Sequence, residues 1–192
     1  MAETPSTMLA LGTALPSFAV PDLDGKTVTD RDFPSAPALV VAFICPHCPY
    51  VKHVRQAFAQ LAKEYQQQQQ VAIVAINSND AQAFPDDDPA GMRREASAAG
   101  FTFPYLYDES QEVAKAFRAA CTPDFFVFDR DRRLAYRGQF DGSRPNSATP
   151  ATGADLRAAL DAVVTGRAPS ADQRPSVGCN IKWKPQNAPS YA

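Results

Sequence analysis

The hydrophobic pattern is most decisive at Ala38-Leu39-Val40-Val41-Ala42-Phe43-Ile44, an unbroken apolar run of strand length without polar alternation. Such a run suits a central strand covered on both faces. Beyond the cysteine that ends it, Val51, Val54, Phe58, Leu61 and Tyr65 recur at steps of three and four, the stripe of an amphipathic helix. The glutamines from Gln66 to Gln70 read as its frayed end. Val71-Ala72-Ile73-Val74-Ala75-Ile76 is a second buried strand, which completes a strand-helix-strand unit of expected right-handed sense. Upstream, Asp24-Gly25 between Phe18-Ala19-Val20 and Lys26-Thr27-Val28 predicts a hairpin.

Downstream, the Asn-, Asp- and Pro-rich stretch from Asn77 to Pro89 reads as a loop, and Met92 to Ala99 as a short helix stopped by Gly100. Phe103 to Tyr107 predicts a strand, Ser110 to Phe117 a helix, and Phe125 to Phe128 an apolar strand. A turn over Asp129 to Arg133 leads to a returning strand at Leu134 to Arg137. Thr152-Gly153-Ala154-Asp155 resembles a capping box for a helix through Leu156, Leu160 and Val163, with Gly166 as its stop. The expectation is an α/β domain over residues 1–168, its central mixed sheet flanked by helices. Residues 169–192 form a Pro-rich, irregular tail packed on that domain, with Trp183 as an anchor.

Composition narrows the function classes. The chain has 192 residues, 45% hydrophobic and 21% charged, and a formal net charge of −2. A domain of this size buries roughly 70% of its unfolded surface and needs no disulfide scaffold. Without a net basic surplus no nucleic-acid partner is expected, and Arg130, Arg132 and Arg133 read as a solvated turn. No run reaches the roughly 18 apolar residues that span a bilayer, so no membrane partner is expected. No Lys or Arg precedes Lys26, so Met8 to Leu15 lacks the positive flank of a secretory signal, and the expected location is cytoplasmic.

Four cysteines in such a chain need a chemical or packing reason, and two of them stand together in Cys45-Pro46-His47-Cys48. Two cysteines three apart in a first helical turn share a face, with Cβ atoms about 5 to 6 Å apart. A small shift then reaches the roughly 3.5 to 4.5 Å of a disulfide. A helix start would stabilise a thiolate on Cys45, with Pro46 at the first helical position and His47 beside the sulfur. That makes Cys45 the expected nucleophile and Cys48 the resolving thiol. A zinc site would want paired ligand groups, and neither Cys121 nor Cys179 has a nearby Cys or His. Asp86-Asp87-Asp88 lacks the rest of a calcium loop and reads as solvated. No metal and no cofactor are assigned.

On the strand, the CxxC and the helix, the chain resembles the thioredoxin superfamily, in the redoxin branch that includes the alkyl hydroperoxide reductase/thiol-specific antioxidant (AhpC/TSA) group. The match runs from about Gly12 to Gly166, and the Cys-Pro-His-Cys tetrapeptide is that of bacterial disulfide-forming oxidoreductases. The resemblance implies a thioredoxin-like fold with an N-terminal hairpin, a redoxin-type insertion over Asn77 to Tyr107 and a C-terminal strap. It also implies a cis bond at Thr122-Pro123 opposite the CxxC, leaving the Thr122 backbone to bind a substrate segment by strand addition. Departures are specific. Ile44 and Leu39 stand where thioredoxins carry a Trp and a buried Asp, which leaves the proton acceptor for Cys48 unidentified. Ala42 and Ala38 stand where peroxiredoxins carry Thr and Pro, against a peroxidase of the standard kind.

The function expected is thiol-disulfide exchange at Cys45 and Cys48 with protein or small-molecule thiols and disulfides, recycled by a partner reductase or oxidase. An antioxidant peroxidase using Cys45 and a copper- or zinc-binding module stay open as alternatives. By the resemblance Cys121 lies near the Cys45 sulfur, and a tail folding back would bring Cys179 near Cys121 or the CxxC, as a second redox pair or a regulator. The alternative is a buried structural Cys121 and an incidental tail thiol.

Overall fold

The computed structural model describes residues 3–192. The apolar run becomes β4 (Leu39–Phe43), every residue of it buried. Its neighbours are β5 (Ala72–Asn77), parallel to it, and β8 (Asp124–Phe128), antiparallel. β6 (Tyr105–Tyr107) and β9 (Leu134–Gly138) complete a five-stranded mixed sheet in the order β6-β5-β4-β8-β9. Alternation along β4 divides the core in two. Val40, Ala42 and Ile44 face α1 (Pro49–Gln69) and α4 (Ala154–Val164), while Leu39, Val41 and Phe43 face α3 (Glu112–Ala116) and the hairpin of β2 (Ala19–Pro21) and β3 (Thr27–Thr29). Phe58 of α1 seals the first layer with rings of Phe103, Phe125 and Phe140 around it.

Several elements depart from the expectation. α1 does not fray through the glutamines: it continues to Gln69, and Gln70 closes it in the left-handed region. α4 opens not at Thr152 but at Gly153, whose φ of +71° and close contact with Phe140 and Leu61 leave no room for a side chain. Asp141 accepts the Thr152 and Gly153 amides at 2.6 and 2.7 Å, supplying the cap from a distance.

The tail departs most. It contains a strand, β10 (Val177–Asn180), set between β1 (Glu3–Pro5) and β7 (Cys121–Thr122) in a second, three-stranded sheet. The flanking chain is pinned: Ser6 N–H donates to Ser176, Ile181 N–H to Ala120, and Asp80 N–H to Lys182. Trp183 is partly buried against the second core layer.

Candidate active site

Cys45 follows the C-terminal end of β4, and Cys48 is the N-cap of α1, with Pro49 at the first helical position. The helix thus begins three residues later than the sequence suggested, and Pro46 is buried in the bend before it. The consequence is electrostatic, because the free amides at the helix start lie nearest Cys48. The Val51 amide helps to lower its pKa, although no formal side-chain capping bond forms.

Thr122 joins both sulfurs to the facing loop. Its hydroxyl lies 3.4 Å from Cys45 Sγ, and its carbonyl accepts a hydrogen bond from the Cys48 thiol at 3.2 Å. The Thr122-Pro123 bond is cis, in agreement with the resemblance. The two thiols are also in electrostatic contact with each other. That contact is the largest influence on Cys48, whose pKa is lowered to about 5, while burial first, then the Cys48 contact and the Asp87 charge, push Cys45 well above the ordinary thiol value. The Cys45 contact first, and the Val51 amide at the helix start after it, favour a thiolate on Cys48, while burial opposes one on Cys45, so the two sulfurs ionise as one pair.

His47 is the least buried residue of the tetrapeptide, and a residue read as solvated fixes it. Asp87 is fully buried. Its Oδ1 accepts the His47 backbone N–H at 3.0 Å and its Oδ2 accepts Nδ1–H at 2.5 Å. Asn79 donates to the same Oδ2 at 2.7 Å, and Asn77 to the Asp87 carbonyl at 2.7 Å. Of the three consecutive aspartates only Asp86 is exposed; Asp88 caps α2 (Pro89–Ala99) by accepting Gly91 N–H at 2.6 Å. The imidazole stacks on Phe84, with ring centroids 5.5 Å apart, and its Nδ1 is 3.9 Å from Cys45 Sγ. Behind Ile44, Tyr105 donates to the Ile44 carbonyl at 3.3 Å and to Glu95 at 3.2 Å. Burial raises the Glu95 pKa to about 7, so a carboxyl poised near neutrality stands close to the centre. Neither Asp87 nor Glu95 was singled out from the sequence.

Cys45 Sγ, a His47 nitrogen and an Asp87 oxygen all lie within 4.8 Å of one another, a donor set that could hold a metal ion. A shallow concavity of about 330 Å³ opens beside the tetrapeptide, lined by Pro46, His47, Lys52 and Arg55 among others. A larger one of about 590 Å³ lies near Pro37 and the Asp129 to Leu134 turn, at the other end of β4, and touches none of this chemistry.

The structure brings Cys179 to the centre and turns Cys121 away. In the β7–β10 register Cys179 opposes Thr122 and Asn180 opposes Cys121, so the two cysteines project from opposite faces. Cys121 donates to the Pro123 and Ser176 carbonyls at 3.7 and 4.0 Å, whereas Cys179 is buried in the same apolar layer as Cys45 and Cys48. The Thr122 backbone is not left open to a substrate strand, because β10 is paired with it.

A dithiol at the end of a central strand, faced by a cis-proline loop on a mixed sheet flanked by helices, defines a thioredoxin-like fold. Within that class the chain belongs to the AhpC/TSA family, whose model matches residues 11–137. It is similar to an uncharacterized conserved protein from Geobacillus kaustophilus (52% identity, TM-score 0.93, covering 97% of this chain and 98% of that one). It is equally similar to the hypothetical protein SMc02350 from Sinorhizobium meliloti 1021 (52% identity, TM-score 0.92, 94% and 98%). A thiol:disulfide interchange protein of the thioredoxin family from Chlorobium tepidum TLS shares the fold at 19% identity (TM-score 0.60, 83% and 99%). No curated protein matches. Family membership supports a thiol-based redox function.

Proposed function

We propose that the chain is a thiol-disulfide oxidoreductase working by exchange at Cys45 and Cys48. The observation that carries this reading is the buried thiol pair itself, both members held against Thr122 and the pKa of one lowered to about 5. A pair that ionises this readily and lies this close can cycle between dithiol and disulfide near neutral pH.

Two proton placements are open to the reduced pair. With the anion on Cys48, the neighbouring Cys45 thiol favours its charge. With the anion on Cys45, the Thr122 hydroxyl donates to Cys45 and the Cys48 thiol donates to the Thr122 carbonyl, so both contacts are satisfied. The second form attacks, because Cys48 is enclosed by Cys45, Cys179 and Thr122, whereas Cys45 adjoins the half-buried His47. Both sulfurs are buried at rest, so attack follows local opening around His47 and Phe84. Cys45 then forms a mixed disulfide with a protein or small-molecule disulfide, and Cys48 attacks Cys45 and releases the reduced product. A separate reductase or oxidase resets the pair.

The test is equilibration of the wild-type protein in glutathione buffers followed by disulfide mapping. A Cys45–Cys48 bridge that appears and disappears with the redox poise is expected; its absence at every poise overturns the reading. Peroxide consumption in the same preparation distinguishes the family's peroxidase chemistry.

A second reading rests on the Cys45, His47 and Asp87 donor cluster. Thiolate, imidazole and carboxylate together suit zinc, and thiolate with imidazole suits copper. Metal analysis of the reduced, reconstituted protein and of Asp87→Asn tests it, with stoichiometric metal in the first and its loss in the second as the supporting result.

A further inference from the structure

We propose that Cys179 is the third thiol of this centre, and that the chain holds a second disulfide state, Cys48–Cys179, reached from Cys45–Cys48 by internal exchange. The inference rests on the dithiol reading above and names an internal partner for the same site.

Three observations place Cys179. The antiparallel register of β10 on β7 sets it opposite Thr122, the residue that touches both Cys45 and Cys48. Its thiol and that of Cys48 influence each other's ionisation, and all three sulfurs lie buried in one apolar layer. The close approach is built into the strand: a side chain at Gly178 would overlap the Thr122 carbonyl, so only glycine lets β10 sit this near the cis-proline loop. The strap is also held on both sides of the cysteine. Besides the backbone bonds at Ser176 and Ile181, Asn79 accepts Lys182 N–H at 2.8 Å while donating to Asp87, which ties the strap to the residue gripping His47.

β10 therefore occupies the edge on which an incoming strand would pair, and it presents a cysteine there as a substrate would. In the Cys45–Cys48 disulfide, the Cys179 thiolate attacks Cys48 Sγ. The Cys48–Cys179 bond forms as the Cys45–Cys48 bond breaks, Cys45 leaves as thiolate, and it takes up the proton that Cys179 gave up. No electrons enter or leave the chain and the count of disulfides stays at one. What changes is that Cys45 is free again while the oxidising equivalent is stored beneath it.

The experiment maps disulfides in the full-length protein without reductant. Reduced Cys45→Ser and Cys45→Ala, each checked for folding by circular dichroism, are treated with oxidised glutathione, quenched with acid and digested. An intrachain Cys48–Cys179 bridge is expected in both. The glutathione adduct at Cys48 should decay about tenfold or more faster than in the Cys45→Ser/Cys179→Ser double variant, since the internal thiol needs no encounter. A long-lived Cys48 adduct with Cys179 absent from every intrachain bridge overturns the proposal. The two readings fail differently: an inert Cys179 in a protein that still cycles Cys45–Cys48 removes only the third thiol, whereas a wild-type protein that never forms Cys45–Cys48 removes the dithiol reading and this inference with it.

Discussion

Asp87 grips His47 at two points, through the backbone amide and through Nδ1, although forty residues separate them in sequence. The bend carrying Pro46 and His47 is thereby fixed to the loop after β5. Asp87 also lies close enough to Cys45 for its charge to hold that thiol's pKa up. It is a positioning residue with an electrostatic reach.

Asp87→Asn removes that charge and the charged end of the His47 contact. Stability should fall by about 1–3 kcal/mol, the usual cost of breaking a buried charged hydrogen bond. Cys45 should ionise at lower pH, so its alkylation rate should rise at neutral pH and its pH–rate profile should move to the acid side. A loss of stability with an unmoved profile would limit Asp87 to a structural role.

The reduced pair should titrate in two well-separated steps. The first proton leaves with a midpoint of about 5, because the Cys45 contact stabilises the Cys48 anion, and the second leaves well above the ordinary thiol value, because burial opposes a second charge. Thiolate ultraviolet absorbance in Cys121→Ser checks this. One broad step at the value of a free thiol contradicts it.

Burial raises Asp124, the residue after the cis-proline, from 3.8 to about 7. Its folded pKa exceeds its unfolded one, so the stability it contributes is complete below about pH 3.8 and is lost as pH rises through about 7. Asp124→Asn should remove that part of the decline and gain on the wild type as the solution turns alkaline. Thermal midpoints of the two proteins at about pH 5 and about pH 8, compared as differences, give the answer; an unchanged difference sinks the assignment. Glu95, also raised to about 7, titrates in both proteins and cancels in the comparison.

Gly178→Ala should lift β10 from β7, since the new methyl group meets the Thr122 carbonyl. Overpacking of this kind costs about 1–3 kcal/mol. Faster proteolysis of the tail and faster labelling of Cys48 are expected together. Faster labelling with an intact tail would mean that the strap does not cover the sulfur.

The legible and illegible parts of this chain divide on range. β4 is readable because burial on both faces writes an apolar run directly into the sequence, and the turn residues Asp24, Gly25 and Gly100 announce their own geometry. The thiol pair is readable because its members are three apart. Asp87 was not, because an aspartate among three aspartates looks solvated and its reason for burial, His47, is remote in sequence; the flanking Pro85 and Asp88-Pro89 signal a tight turn and a helix cap but not what faces inward. The exact start of α1 is ambiguous in the sequence because two prolines, Pro46 and Pro49, each suit a first helical turn. β10 was hidden by its surroundings: four residues in a Pro-rich tail carry too little periodicity to predict a strand whose pairing is entirely long-range.

The ladder between Thr122 and Cys179 makes the chain's own carboxyl-terminal end a tethered competitor for the cis-proline edge. An outside polypeptide that docks by lending a strand must displace this resident one, while a small disulfide entering beside His47 has no such rival. On the proposed exchange function, selection between large and small substrates would be set by how readily β10 releases β7.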